Sequence, residues 1–259
     1  SKIDHNAVRA ALKYSNIKDG LELHYHGDLP ARSGMGSSSS FLVGLLNVLN
    51  SYENKKISKH NLAYKSIEFE QKILKEKVGS QDQIAATYGG FNSIKFFKNN
   101  NFKLNSFKSK KNFIDKLSKN LILVYTGINR TAHNIANSFV SDLNKKKSKN
   151  INRILGYVDE AKKIINNGNP RDFGLLLHEA WREKKELSKL ISNRKIDDLY
   201  MFGLKNGAIG GKLLGAGGGG FLLFYVDSKH KKNFIKKMKK RNIILPIKFC
   251  EKGSEIVSL

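Results

Sequence analysis

Apolar residues along this chain change their spacing several times, and each change marks an element. Residues 4–18 read as a helix, with Ala7, Val8, Ala11 and Leu12 on one side. "LELHYHGDL" then alternates as a strand does, Leu21, Leu23 and Tyr25 on one face and Glu22, His24 and His26 on the other. A glycine- and serine-rich loop leads into a largely apolar helix from about Ser37 to Tyr52. A second helix spans 58–76, with Ser58 as its cap and Leu62, Ile67, Phe69, Ile73 and Leu74 as its apolar side. "VGSQDQIAATYGG" is a short loop or helix between glycines. "FNSIKFF" and "NFKLNSF" bracket "KNNN" and predict a hairpin.

Further on, "NLILVYTG" reads as a buried strand and "INRTAHNIANSFVSDL" as a helix. Helices continue over 151–166, 170–191 and 194–206. "GAIGGKLLGAGGGGFLLFYV" reads as a glycine-dense turn feeding an apolar strand, followed by a basic helix near 228–240 and a closing strand "ILPIKFC". Helices and strands mix without a βαβα beat, so the expected class is α+β. The expected domains are 1–117 and 118–259, divided before "NLILVYTG".

Composition narrows the function. The 259 residues carry 40% hydrophobic positions, enough for a core, and no window approaches a membrane span. The single cysteine, Cys250, excludes a disulfide framework and a cysteine-rich metal site. No signal peptide opens the chain, so a cytoplasmic protein is expected. The net charge of +25 is compatible with nucleic acid, but the lysines scatter over helical stretches without interleaved aromatics. Solvated lysines and an anionic small substrate suit it better, so no nucleic-acid or membrane partner is expected.

The candidate chemistry centres on "PARSGMGSSSSF". A serine-rich tract is usually a flexible linker, but this one sits between a strand and a helix. Gly34 and Gly36 allow positive φ and close approach of a ligand. Ser37 to Ser40 fall where helix amides are unpaired and the macrodipole is positive, the place for a phosphate. The alternative is a serine-capped helix. Asp82 in "GSQDQ" can take or orient a hydroxyl proton, or simply cap a helix. Glu70 lies on the polar side of its helix beside Lys72 and Lys75, where a solvated charge is the plainer role. Walker A is absent, and "GAGGGG" precedes a strand where a dinucleotide fingerprint needs a helix. No metal-spaced histidines and no G-x-S-x-G occur. Trp181, the single tryptophan, sits at a spacing that more often means core.

Three stretches in order, "DLPARSGMGSSSSFLVGLLN", "VGSQDQIAATYGGFN" and "KLLGAGGGGFLLF", resemble the later motifs of the GHMP small-molecule kinases. "TGINRTA" and "EKGSEIV" are similar to the sugar kinases of that superfamily that act on D-glycero-D-manno-heptose 7-phosphate. The resemblance runs from about residue 4 to 259. It implies a ribosomal-protein-type α/β N-terminal domain, a ferredoxin-like C-terminal domain and a site between them. It implies ATP and Mg²⁺, with Arg32, Ser33, Gly34, Met35, Gly36, Ser37, Ser38 and Ser39 around the phosphates. Ser37 and Glu70 would hold the metal, Glu68 and Glu76 competing with Glu70. Asp82 would be the base. Arg130, Trp181, Lys184, Gly217 and Gly218 would meet a sugar phosphate. The reaction implied is phosphorylation of the sugar's C1 hydroxyl by a monomer or homodimer; another alcohol, or a silent sugar or nucleotide sensor, is the alternative. The superfamily's opening strand and "P-G-R"-like motif are not in this chain, so roughly 80 preceding residues are expected by comparison with a full-length member.

Overall fold

A computed structural model describes residues 3–18, 20–28, 34–107, 110–129 and 148–257. The chain packs as two units: residues 1–31, 36–90 and 250–259 in one, residues 32–35 and 91–249 in the other. The division falls at Gly90/Phe91 rather than near 117. The reason is aromatic packing: the Phe91 ring lies 5.1 Å from that of Phe249, 6.2 Å from Phe173 and 6.1 Å from Phe107, all in the second unit.

In the first unit, α1 (Asn6–Tyr14), α2 (Ser37–Tyr52), α3 (Lys59–Glu68) and α4 (Gln81–Tyr88) supply the regular structure. Ala11, Leu42, Val43, Leu46, Leu49, Leu62 and Phe69 form its core. The Ser58 hydroxyl caps α3 as the sequence predicts, accepting from the Asn61 amide at 3.2 Å. Here α3 does not run on to residue 76. It passes into a π-helical turn, Phe69–Ile73, where the Leu74 amide bonds the Phe69 carbonyl five residues back at 2.9 Å. The expected strand at 21–29 does not form. Among the described residues nothing pairs with segment 20–27, and a lone extended segment has no ladder for its backbone groups. Leu23 and Tyr25 stay largely exposed, Tyr25 resting edge-on against Phe41. Residues 250–254 return to this unit: the Gly90 amide bonds Cys250, the Ser254 amide bonds Ala86, and Asn47 of α2 donates to the Ser254 hydroxyl at 3.0 Å.

The second unit opens with the predicted hairpin, β1 (Asn92–Phe96) and β2 (Phe102–Ser106), in antiparallel register. It continues through α5 (Lys111–Asn120), β3 (Leu121–Tyr125), α6 (Ser148–Asn167), α7 (Pro170–Lys185), α8 (Arg194–Lys205), β4 (Ala208–Leu213), β5 (Phe221–Val226), α9 (Ser228–Met238) and β6 (Ile244–Pro246). The helix expected over "INRTAHNIANSFVSDL" lies outside the described residues. The four strands pair antiparallel in the order β4-β5-β3-β6, which is the ferredoxin-like arrangement the resemblance implies.

β4 was not foreseen, because its glycines read as a turn. Their cause is close packing: a Cβ on Gly210 would meet the Gly174 carbonyl of α7 at 2.2 Å, and one on Gly211 the Leu223 carbonyl of β5 at 2.3 Å. Only bare backbone lets α7 lie this close to the sheet edge. Beneath it, Trp181, Ile191, Ile196, Tyr200, Phe224 and Phe234 build the core of this unit.

Trp181 is 0% exposed and belongs to that core. The expectation that it touches a substrate is therefore corrected: its ring is spent on packing, and the Lys185 ammonium lies 5.8 Å from the ring centre. Trp181→Ala should cost about 3–5 kcal/mol of stability, read from the urea midpoint by circular dichroism; a midpoint unchanged from wild type would show that the indole is not a packing element.

Candidate active site

The first unit brings together four of the predicted residues. α2 begins at Gly36, whose φ of 72° is left-handed, and no side chain caps the helix. Gly34 also takes positive φ, at 80°. The Ser40 amide closes the first turn on the Gly36 carbonyl at 2.9 Å. The amides of Ser37, Ser38 and Ser39 therefore have no acceptor within the helix, and the first turn holds no acidic residue. Ser37 is half-buried, Ser38 exposed and Ser39 buried. An uncapped start of a 16-residue helix favours an anion by amide donation and by its dipole together.

Asp82 stands against this loop. A Cβ on Gly36 would lie 3.2 Å from the Asp82 Cγ and 3.3 Å from its Oδ2. Gly36 is thus favoured by its φ, and a side chain there would also press on the carboxylate beside it. The capping alternative for Asp82 is excluded, since Ser80 is the N-cap of α4 and Asp82 sits inside the first turn. Gln81 Nε2 donates to Asp82 Oδ1 at 3.2 Å.

Glu70 is the second carboxylate. It is 1% exposed, not the solvated charge that its lysine neighbours suggest. The π turn buries Phe69 and Glu70 in succession: Phe69 enters the core, and Glu70 meets α2 and α4. Ser39 Oγ lies 3.0 Å from both Glu70 oxygens, and Gln83 Nε2 donates to Oε2. The competing candidates point elsewhere: Glu68 pairs with Lys72, and Glu76 is exposed. Burial pushes the Glu70 carboxyl above its ordinary range, the hydrogen bonds from Gln83 and Ser39 oppose the shift, and the charges of Glu76 and Asp82 add to it.

The donor set fits a magnesium ion. Mg²⁺ in phosphoryl-transfer sites takes one or two carboxylates, with water and phosphate oxygens completing its shell. Glu70 is a buried carboxylate with only neutral hydrogen-bond partners among the described residues, so it lacks a positive charge beside it. Serine hydroxyls stand nearby on α2. Among the described residues no cluster of three or more histidine, cysteine or acidic side chains forms a metal cage. The hydroxyl that reaches Glu70 is that of Ser39. Neither Ser39 in this role nor Gln83 was singled out in the sequence; a glutamine directly after the candidate base was the available signal.

The remaining candidates lie in the second unit or outside the described residues. Arg32, Ser33 and Arg130 are among the latter; Met35 is half-buried. Lys184 donates to the Gly215 carbonyl, at the foot of the glycine loop. Gly217 and Gly218 lie against Ile191. The Gly218 amide donates to the Ile191 carbonyl at 2.8 Å, and a Cβ on Gly217 would meet Ile191 Cα at 2.8 Å. The Gly220 amide donates to Ile128 at 2.9 Å. The loop needs glycine to lie against its own protein.

An uncapped helix start suited to an anion, a carboxylate against it and a second, buried carboxylate suit phosphoryl transfer. Comparison with known proteins supplies the family. Residues 5–90 match the GHMP kinases N terminal domain and residues 161–244 the GHMP kinases C terminal domain. The chain is 33% identical over 237 residues to the D-glycero-alpha-D-manno-heptose 7-phosphate kinase of Campylobacter jejuni, covering 90% of this chain and 69% of that one. It is 30% identical over 240 residues to the mevalonate kinase of Methanocaldococcus jannaschii, covering 92% and 72%; the structure of the mevalonate kinase from that organism superimposes with a TM-score of 0.70 at 28% identity, covering 92% and 72%. A D-glycero-D-manno-heptose 1-phosphate kinase structure from Bacteroides thetaiotaomicron shares the fold, with a TM-score of 0.74 at 22% identity, covering 100% and 77%. The chain belongs to the GHMP kinases, which are ATP-dependent phosphotransferases. Among the described residues no helix is long and apolar enough to cross a membrane.

Two outcomes follow from this geometry. Gly36→Ala places a methyl group against Asp82 and strains the left-handed turn, and should lower kcat/KM for ATP by about 10²-fold; steady-state kinetics checks this. Glu70 gives a pH signature to the metal-free chain. With its folded pKa raised above the ordinary 4.5, the folded state binds the proton more tightly than the unfolded one. Its contribution to stability is present below that ordinary value and is lost as pH rises through the folded pKa. Melting curves in chelator should show the wild type losing stability relative to Glu70→Gln as pH rises towards neutrality.

Proposed function

We propose that this chain transfers the γ-phosphoryl group of ATP to the C1 hydroxyl of D-glycero-D-manno-heptose 7-phosphate. The product would be the 1,7-bisphosphate, a precursor for GDP-heptose and surface polysaccharide. The observation that carries the reading is the Asp82 carboxylate set against Gly36, at the start of the serine helix. The choice of sugar is supported by the likeness, over 90% of the chain, to a kinase named for that sugar phosphate.

In this reading the amides and hydroxyls from Gly36 to Ser39 hold the nucleotide's phosphates, with Gly34 and Met35 shaping the approach. Glu70 and the serine hydroxyls would hold Mg²⁺, which would supply charge neutralisation for the phosphates. Asp82 orients the acceptor hydroxyl and takes its proton. Lys184, with Arg130, Arg32 and Ser33 as the resemblance implies, supplies positive charge and donors for the anionic groups. Catalysis is then positioning and electrostatics, since phosphoryl transfer needs little covalent help from the protein.

ADP release measured against heptose 7-phosphate, other sugar phosphates, mevalonate and homoserine tests the substrate. Turnover is expected with the heptose phosphate; turnover with mevalonate or homoserine instead would reassign the acceptor, and none with any acceptor would favour a sensor. Asp82→Asn should lower kcat by roughly 10²-fold or more, with turnover near wild type removing Asp82 from the chemistry.

A further inference from the structure

Gln83 follows Asp82 on α4 but is buried far more deeply, at 0% exposed. Its two amide atoms are treated unequally. Nε2 donates to Glu70 Oε2, whereas Oε1 is buried and has no hydrogen-bond partner among the described residues. A protein interior seldom carries an unsatisfied amide oxygen, and each such atom asks for an explanation.

The carboxylate supplies one. A carboxylate is an acceptor at both oxygens, and an amide turned over would set its own oxygen against Glu70. Against an ionised Glu70 this orientation, which leaves Oε1 without a donor, is the one that avoids setting two acceptors face to face. Ser39 Oγ, 3.0 Å from both carboxylate oxygens, approaches from α2. Two neutral donors on two helices thus hold one acidic side chain projected from a π-helical turn, a local structure frequent at functional sites. An apolar residue of the same length, such as methionine, would fill the space without the orphaned oxygen, but would withdraw a donor from Glu70. The amide makes sense as a device acting on Glu70.

We propose that Gln83 is a positioning residue: its amide holds the Glu70 carboxylate in the orientation that binds the divalent cation accompanying the nucleotide. The inference rests on the reading of Glu70 as a metal-holding residue, and its test separates the two. Mn²⁺ serves as the probe, its binding to the full chain followed by electron paramagnetic resonance with a non-hydrolysable ATP analogue present. Melting temperature is measured in parallel.

Glu70→Gln weakens Mn²⁺ binding if the metal reading holds. Gln83→Met is expected to weaken it about tenfold, as loss of a group orienting a metal ligand does, while the melting temperature changes little, removal of the orphaned oxygen offsetting the donor lost to Glu70. Gln83→Asn, which withdraws the amide by one methylene, is expected to weaken binding as well and serves if the methionine variant does not fold. Affinity within about twofold of wild type in the Gln83 variants, with Glu70→Gln impaired, overturns the positioning role. Affinity loss that only tracks a falling melting temperature in both variants overturns it too. Unchanged affinity in Glu70→Gln rejects the metal reading and this inference with it.

Discussion

A carboxylate taken out of water must be paired or hydrogen-bonded, and around Glu70 that demand organises the first unit. Ser39 meets it from α2 and Gln83 from α4, while the π turn after α3 delivers the acid itself. The three elements are tied at one point, and both helices that answer Glu70 also carry the parts suited to chemistry. α2 opens at the serine loop, and α4 presents Asp82 one residue before Gln83. Displacing the carboxylate would loosen the relation between phosphate cradle and base.

Asp82 and Glu70 occupy different surroundings. Asp82 is half-buried in the first turn of its helix and lies against the backbone of Gly36. Glu70 is sealed among neutral donors. In the proposed reading the same functional group serves separate tasks: one would meet a reacting hydroxyl, and the other would hold a cation. The returning segment 250–254 supports this arrangement from behind. Ser254 accepts from Asn47 of α2 and donates to Ala86 of α4, and Gly253 lies so close to α4 that a Cβ would meet the Thr87 carbonyl at 2.1 Å.

Local pattern read much of the fold. α2 spans Ser37–Tyr52 in sequence reading and structure alike, and the hairpin around "KNNN" and the buried strand at 121–125 are where periodicity places them. The failures have specific causes. Segment 20–27 has strand alternation but no neighbour to pair with among the described residues. β4 is a strand despite its glycines, because those glycines serve contact with α7 and β5. The glycine loop from 215 reads as a turn, and its glycines serve close contact with Ile191 and Ile128.

By itself the sequence determined the serine loop, the candidate base and the motif order of the family, because each is written in adjacent residues. It left Glu68, Glu70 and Glu76 as rivals and passed over Ser39 and Gln83 as partners. Tertiary structure distinguishes them: Glu70 is buried against Ser39 and Gln83, while Glu68 stays paired with Lys72. It also assigned Trp181 to the core. Burial is a property of what packs against a face, and no local spacing of residues carries that information.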